Sequence, residues 1–231
     1  MPSERRALVT GTSSGIGMAI AERLLEDGWH VTGLDISAPR LEGALFTPTT
    51  VDLSETAAAE AAARVAGPVE AWVHAAGVLR VGPLGSLEAA DADLMWRLHV
   101  QAASSIANVV LPAMAAAGHG RAVLVGSRVS AGLPGRSQYA ASKAALVALA
   151  RSWAAEVVSR GVTVNVVSPA ATQTAMLEDP ARRSEAPRVP PLGRLIQPRE
   201  IASLVAYLLS PDAGAITGQD IAICGGATLP R

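Results

Sequence analysis

Apolar residues fall into short, dense runs separated by longer stretches in which they recur every three or four positions. The runs Arg6–Thr10, His30–Asp35, Leu45–Val51, Glu70–His74, Arg121–Gly126, Val162–Val167 and Gln219–Ile223 are rich in Val, Ile and Leu. Such runs predict strands covered on both faces. The stretches Ile16–Asp27, Ser54–Ala66, Asp91–Ala117, Gln138–Val158 and Pro198–Leu209 carry helical spacing. Pro112 is the expected kink in the longest of them. Strand and helix alternate, which predicts an α/β fold: a three-layer, doubly wound parallel sheet of about seven strands flanked by helices. No repeat or linker divides the chain, so residues 1–231 read as a single Rossmann-like domain. The Pro- and Arg-rich stretch Leu177–Pro191 breaks the rhythm and reads as an inserted loop. Residues 175–193 are the expected substrate lid.

Composition narrows the class. Half of the residues are hydrophobic and 17% are charged, which argues against disorder. The formal net charge of −1 gives no broad electrostatic case for nucleic acid or an anionic membrane. No run of about 18 apolar residues suggests a membrane span, and the N-terminus lacks a signal-peptide pattern. The expected location is the cytoplasm. Cys224 is the one cysteine, so no internal disulfide forms. It reads as a small buried residue rather than a nucleophile.

Residues 10–17 read T-G-T-S-S-G-I-G, between the first strand and the first helix. A dinucleotide pyrophosphate binds at such a turn, because glycines let the backbone approach phosphate and the helix start offers free N–H groups. Gly11, Ser14, Gly15, Ile16 and Gly17 are the candidate cradle. The spacing is G-x-x-x-G-x-G rather than G-x-G-x-x-G, and no Lys-Ser/Thr follows as a P-loop requires. Asp35 ends the second strand, 18 residues beyond Gly17. A carboxylate there accepts from ribose hydroxyls and repels a 2′-phosphate, which favours NAD over NADP. Asp52, in V-D-L with Leu53, is read either as an adenine contact or as an N-cap of the next helix.

A second constellation stands in the middle of the chain. Tyr139 and Lys143 are four apart on one predicted helix face, among small residues. Ser127 ends the strand just before. Ligands of doubly wound sheets sit beyond the carboxyl ends of the strands, so the three side chains converge there. A neighbouring ammonium favours a phenolate, and a phenol so tuned exchanges protons with an alcohol or carbonyl. Ser127 would hydrogen-bond the same oxygen.

T-G-x-x-x-G-I-G, the serine about a dozen residues before Y-x-x-x-K, and P-L-G-R-L-x-x-P-x-E-I-A together resemble the short-chain dehydrogenase/reductase family, from Leu8 to Gly226. The resemblance implies an NAD-dependent oxidoreductase interconverting a secondary alcohol and a ketone. Tyr139 would be the general acid/base, Lys143 would bind the nicotinamide ribose, and Ser127 would orient the substrate oxygen. Ala75, Ala76 and Gly77 would form the turn beside the cofactor. Pro169, Thr172 and Thr174 would lie beside the nicotinamide. Gln101 would take the place of an asparagine that organises a water chain to the lysine. The resemblance also implies a homotetramer, or a homodimer, built on the long Ala-rich helices.

Three positions and one loop length depart from the family pattern. His74 replaces the asparagine of N-x-A-G, Gln101 follows Val100 in place of asparagine, and Ala170 follows Pro169 in place of glycine. The loop from Ser127 to Tyr139 is about one residue short, which leaves Ser130 as a stand-in serine. A non-catalytic NAD-binding relative, acting as sensor or scaffold, is the alternative these departures keep open. For the substrate, Arg182, Arg183 and Arg188 in the lid, with Arg80 and Arg128, suit an anion. H-A-A-G-V-L-R and the C-terminal G-G-A-T-L resemble the branch that oxidises dihydrodiol carboxylates. A cyclic alcohol or a 3-oxoacyl group are the other substrate readings, in a pocket lined by Leu133, Met176 and Leu177.

Overall fold

A computed structural model describes residues 4–177 and 188–229. Its centre is a seven-stranded parallel sheet in the order β3-β2-β1-β4-β5-β6-β7. The strands are β1 (Arg6–Thr10), β2 (His30–Asp35), β3 (Phe46–Thr50), β4 (Ala71–His74), β5 (Gly120–Val125), β6 (Val162–Pro169) and β7 (Asp220–Ile223). The order reverses after β1, where β4 joins on the side opposite β2. That reversal opens a crevice beyond the strand ends.

Side-chain alternation along the strands sorts the core into two layers. Leu8, Trp72, Ala122, Leu124, Val164 and Val166 share one cluster with the helices α2 (Thr56–Ala66), α4 (Ala102–Ala117) and α5 (Ser137–Val157). Ala7, Val9, Ala71, Val73, Val123, Val125 and Val167 share the other with α1 (Gly15–Glu26) and α6 (Pro198–Leu209). Both faces are apolar because both are covered, as the continuous runs predict. The start of α6 is fixed by Glu200, whose Oε2 accepts from the Gln197 amide at 2.8 Å and from Arg194 Nη1 at 2.7 Å. The Arg194 pairing and the Gln197 amide hold the Glu200 carboxyl down at about 2.

The expected long helix differs from its prediction. It consists of α3 (Ala89–Trp96), a π-helical turn at Arg97–Gln101, and α4. Pro112 lies inside α4, and the irregularity falls at the π turn Arg97–Gln101 well upstream of it instead. Taken together, Ala89–Ala117 is long and apolar enough to cross a membrane, but half of its most apolar window is buried. Ile106, Val110 and Met114 on it pack into the α2–α4–α5 layer. Cys224 is a further correction: it is partly rather than fully buried, packed against the second core layer, and its Sγ lies 3.2 Å from Thr228 Oγ1. Of the expected lid, residues 178–187, including Arg182 and Arg183, lie outside the described residues.

Candidate active site

A cavity of about 860 Å³ opens at the carboxyl ends of the strands. Its first end is built from the glycine turn. Gly17 sits in the first turn of α1 so close to β1 that a Cβ there would lie 2.2 Å from the Gly11 carbonyl oxygen. Gly11 has φ +78°, and a Cβ on it would lie 2.9 Å from the Ala76 amide nitrogen. The helix start is thus drawn onto the strand ends, and Gly11, Ser14, Gly15, Ile16 and Gly17 all line the cavity. No acidic side chain stands in the first turn of α1. This cradle fits a pyrophosphate, which needs close backbone approach and unopposed N–H groups.

Asp35 also lines this end. Its two oxygens accept from the Ser13 amide at 2.9 Å and the Ser37 amide at 2.8 Å. The two bonds fix the carboxylate's orientation and leave lone pairs for a ribose hydroxyl. Asp52 and Leu53 line the same region. Asp52 Oδ1 accepts from the Ser54 amide at 2.9 Å, while the cap position of α2 belongs to Glu55.

In the middle of the cavity, Ala75, Ala76 and Gly77 follow β4. Thr10 shapes this turn. Its Oγ1 accepts from the Ala75 and Ala76 amides, each at 3.0 Å, and lies 3.2 Å from His74 Nδ1. With both lone pairs taken, the hydroxyl proton goes to Nδ1, so His74 carries its own proton on Nε2. That Nε2 is buried without an ordinary hydrogen bond, beside the backbone of Leu98 and His99 in the π turn. Burial, then the Lys143 charge, lowers the His74 pKa to about 3.

At the far end stand Ser127, Tyr139 and Lys143. Ser127 is buried, and its Oγ accepts from the Val129 amide at 3.2 Å, opening a 3-10 turn at Arg128–Ala131. Ser130 does not line the cavity. Lys143 is buried, and its Nζ donates to the Val125 carbonyl at 2.9 Å. It lies 5.9 Å from the centroid of the Tyr139 ring. Burial lowers the Lys143 pKa to about 7. Pro169, Thr172 and Thr174 close the cavity from the β6 side. Thr172 Oγ1 donates to the Ala170 carbonyl at 2.9 Å, and Ala170 itself is buried with its amide bonded to Ile223. Leu133, Met176, Leu177 and Arg188 complete the lining.

One candidate is not brought in. Gln101 is exposed and does not line the cavity. The residues that line the cavity from this element are Leu98 and His99, and His99 lies two positions before Gln101, on a different face of the turn. His99 is fully buried. Its Nε2 accepts from the Val78 amide at 3.1 Å, so Nδ1 carries the proton and meets Ser142 Oγ at 2.9 Å. Ser142 Oγ in turn donates to the Tyr139 carbonyl at 2.9 Å. The His99 and Tyr139 rings meet edge-on with centroids 5.7 Å apart. A signal for this was present in the sequence: Met95, His99, Ala102 and Ile106 follow helical spacing on one buried face, from which position 101 is excluded. Arg80 is likewise not in the lining; its Nε lies 3.6 Å from Asp91 Oδ1.

The two buried histidines predict acid sensitivity. Burial, then Lys143, then His74 hold His99 well below its ordinary value as well. Unfolded histidine titrates near 6.5. Between that value and the folded ones the unfolded chain binds more protons, so stability falls as pH drops below about 6.5 toward 3. Below about pH 6 Lys143 is cationic in both states and contributes no slope. The slope should approach about 1.4 kcal/mol per pH unit for each histidine. Urea unfolding of His74→Asn at pH 6, 5.5 and 5, where Lys143 adds no slope, should show roughly half the wild-type slope. An unchanged slope would mean that His74 is not held neutral.

A glycine turn at a helix start, a fixed carboxylate at the end of β2, and a Ser-Tyr-Lys end with Ser127 and Lys143 buried share one cavity and describe a nicotinamide-dinucleotide oxidoreductase site. The comparisons agree. A family profile described as enoyl-(acyl carrier protein) reductase matches residues 11–228. The 3-oxoacyl-[acyl-carrier-protein] reductase FabG of Vibrio cholerae is 37% identical over 235 residues, covering 95% of this chain and 96% of that protein. The oxidoreductase UcpA of Escherichia coli K12 is 32% identical over 252 residues, covering 98% and 95%. A solved short chain dehydrogenase/reductase family protein superposes with a TM-score of 0.90 at 33% identity, covering 98% of each chain. An actinorhodin polyketide ketoreductase solved with NADPH superposes with a TM-score of 0.89 at 27% identity, covering 100% and 99%. The chain belongs to the short-chain dehydrogenase/reductase family, whose members bind a nicotinamide cofactor and act on small molecules.

Proposed function

We propose that this protein is an NAD-dependent oxidoreductase that interconverts a secondary alcohol and a ketone, with Tyr139 as the group that moves the proton. The observation that carries this reading is the shared cavity: Ser127 and Tyr139 open on the same space as the glycine turn, with Lys143 buried beside them. A bound nicotinamide supplies or takes the hydride. The chain's own residues do the rest. Ser127 donates to the reacting oxygen and holds it. Tyr139 gives its phenolic proton to a carbonyl oxygen in reduction and takes one from an alcohol in oxidation. Lys143, titrating near 7, favours the phenolate whenever it is charged. Thr172 and Thr174, with Pro169, face the nicotinamide end.

Tyr139→Phe tests the assignment. Turnover, followed by absorbance of the reduced nicotinamide on a panel of secondary alcohols and ketones, should fall by at least about a thousandfold, within the reach of acid–base catalysis. NAD affinity should change by less than about threefold, since the phenyl ring remains; that is under about 0.7 kcal/mol. Retained turnover in the variant would remove Tyr139 from this role. NAD binding without turnover on any panel member would favour a non-catalytic relative acting as sensor or scaffold. The panel contains a cyclic alcohol, a 3-oxoacyl thioester and a dihydrodiol carboxylate.

The NAD preference is supported by the fixed carboxylate of Asp35 and by the lining beside it. Ile36, Ser37, Val51, Leu53 and Ser54 bring no cation to that end. A 2′-phosphate would face a carboxylate with no compensating charge. Asp35→Ala should lower the ratio of kcat/KM with NAD to that with NADP by at least about tenfold, equivalent to about 1.4 kcal/mol. An unchanged ratio would mean that Asp35 does not read the ribose. The same reading makes the protein a cytoplasmic single-domain homotetramer or homodimer with a lid at 175–193. The assembly is tested by light scattering.

A further inference from the structure

The charged lining of the cavity is divided by sign. Asp35 and Asp52 stand at the glycine-turn end, whereas Arg128, Arg136 and Arg188 stand with Lys143 at the other. Asp35 closes β2 and Arg128 follows β5, with β1 and β4 between them. Three strand spacings put about 14 Å of sheet between the two ends. Arg128, next to Ser127 in the chain, therefore belongs with the reacting end and not with the adenosine ribose.

Arg128 and Arg188 also border a second chamber of about 300 Å³. Its other walls are apolar: Val189, Pro190, Pro191, Ala227 and Leu229. Backbone contacts build these walls. The Leu192 amide donates to the Gly225 carbonyl at 3.0 Å, and the Leu229 amide donates to the Gly226 carbonyl at 3.1 Å. A Cβ on Gly225 would lie 3.0 Å from the Cβ atoms of both Pro190 and Leu192, so the C-terminal turn lies flush against the proline segment. Among the described residues neither Arg128 nor Arg188 has a side-chain hydrogen bond or ion pair, while Arg80 lies beside Asp91 and Arg194 is clamped to Glu200. Two like charges bordering one space are unfavourable until an anion joins them. Guanidinium forks match the oxygens of a carboxylate or phosphate.

We propose that Arg128 and Arg188 form an oxyanion subsite, and that the substrate is a hydroxy or oxo compound bearing a carboxylate or phosphate, with hydrocarbon reaching into the proline-walled chamber. This rests on the oxidoreductase reading above and names its substrate class.

Binding is measured first, because it needs no turnover. Hexanoate, hexyl phosphate and hexanol are titrated calorimetrically into the full chain with NAD present. At least one of the two anions should bind wild type about tenfold or more tightly than it binds Arg128→Gln/Arg188→Gln, about 1.4 kcal/mol. Hexanol should not discriminate between them. Whichever anion loses more identifies carboxylate or phosphate. Equal affinity for the two proteins, or no anion binding to wild type, overturns the subsite whatever the enzyme turns over. Arg188→Gln alone, at an exposed position, keeps the test decisive should the double variant fail to fold. Turnover of an oxo acid is then compared with that of its methyl ester. Wild type should prefer the acid in kcat/KM, and the double variant should lose at least about tenfold of that preference, the worth of one charged hydrogen bond. Anion binding without turnover on any carbonyl compound would leave the subsite in place and remove the oxidoreductase reading.

Discussion

Gly17→Ala is expected to weaken NAD binding by at least about a hundredfold, about 2.7 kcal/mol. The new methyl would lie 2.2 Å from the Gly11 carbonyl oxygen, 2.7 Å from its carbon and 3.0 Å from the Thr10 oxygen. All three atoms are backbone, held by the sheet: the Gly11 amide donates to the Leu34 carbonyl at 2.8 Å. They cannot rotate away as a side chain would. The helix must therefore back off the strand ends, and its N–H groups leave the place where phosphate oxygens are met. Overpacking of this kind costs about 1–3 kcal/mol of stability. In a domain of this size that lowers Tm by about 3–10 °C without unfolding the protein at 25 °C. Gly15→Ala is the informative contrast. Its methyl would meet only Thr174, with Cγ2 at 3.2 Å, and the cost is the left-handed backbone at φ +55°. It should bind NAD better than Gly17→Ala. Calorimetric titration with thermal melts measures both. Near-wild-type affinity in Gly17→Ala would mean that the helix start is not the phosphate cradle.

The strands and most helices were legible because their periodicities differ and because both sheet faces are covered. Leu8 and Val9 can both be apolar only where helices pack on each side. The glycine turn was legible for a related reason: Gly11 and Gly17 occupy places where any side chain meets backbone. The π turn was not legible. It adds one residue to the ring of each backbone hydrogen bond and so rotates the helix beyond it, and no proline or glycine marks it at Arg97–Gln101. Pro112, the residue that does carry a break signal, sits in a continuous helix. Assigning Gln101 from the family's pairing of valine with asparagine passed over the buried stripe that contains His99. Arg128 and Arg188 stood out in the sequence as suited to an anion, but the proline-walled chamber they border was hidden for another reason. Its arginines are 60 residues apart in sequence, and only the packing of the C-terminal turn on Pro190 and Pro191 gives them a common wall.

His99 is the positioning residue whose removal tests the far end of the site most sharply. Its ring spans the Val78 amide and Ser142, and Ser142 holds the carbonyl of Tyr139. Tyr139 is thereby tied to the loop after Gly77 by a chain of three hydrogen bonds. A Cβ on Gly77 would lie 2.8 Å from His99 Nε2 and 3.5 Å from Lys143 Nζ, so the loop, the imidazole and the lysine are in contact packing. His99→Leu leaves the part-buried Val78 amide without its acceptor, worth about 1–3 kcal/mol. It also removes the edge-on support of the phenol ring. If that energy appears in the transition state, kcat should fall about tenfold to a hundredfold. KM for NAD should move little, because the glycine turn and Asp35 are untouched. His99→Gln keeps an acceptor and a donor, and should recover part of the loss. A protonated imidazole cannot accept from the Val78 amide, and burial first, then Lys143 and His74, oppose its charging. Wild type should therefore carry a His99-dependent loss of kcat on the acid side, well below the ordinary histidine range, that His99→Gln lacks. Equal kcat loss in the Leu and Gln variants, with identical acid limbs, would reduce His99 to core packing.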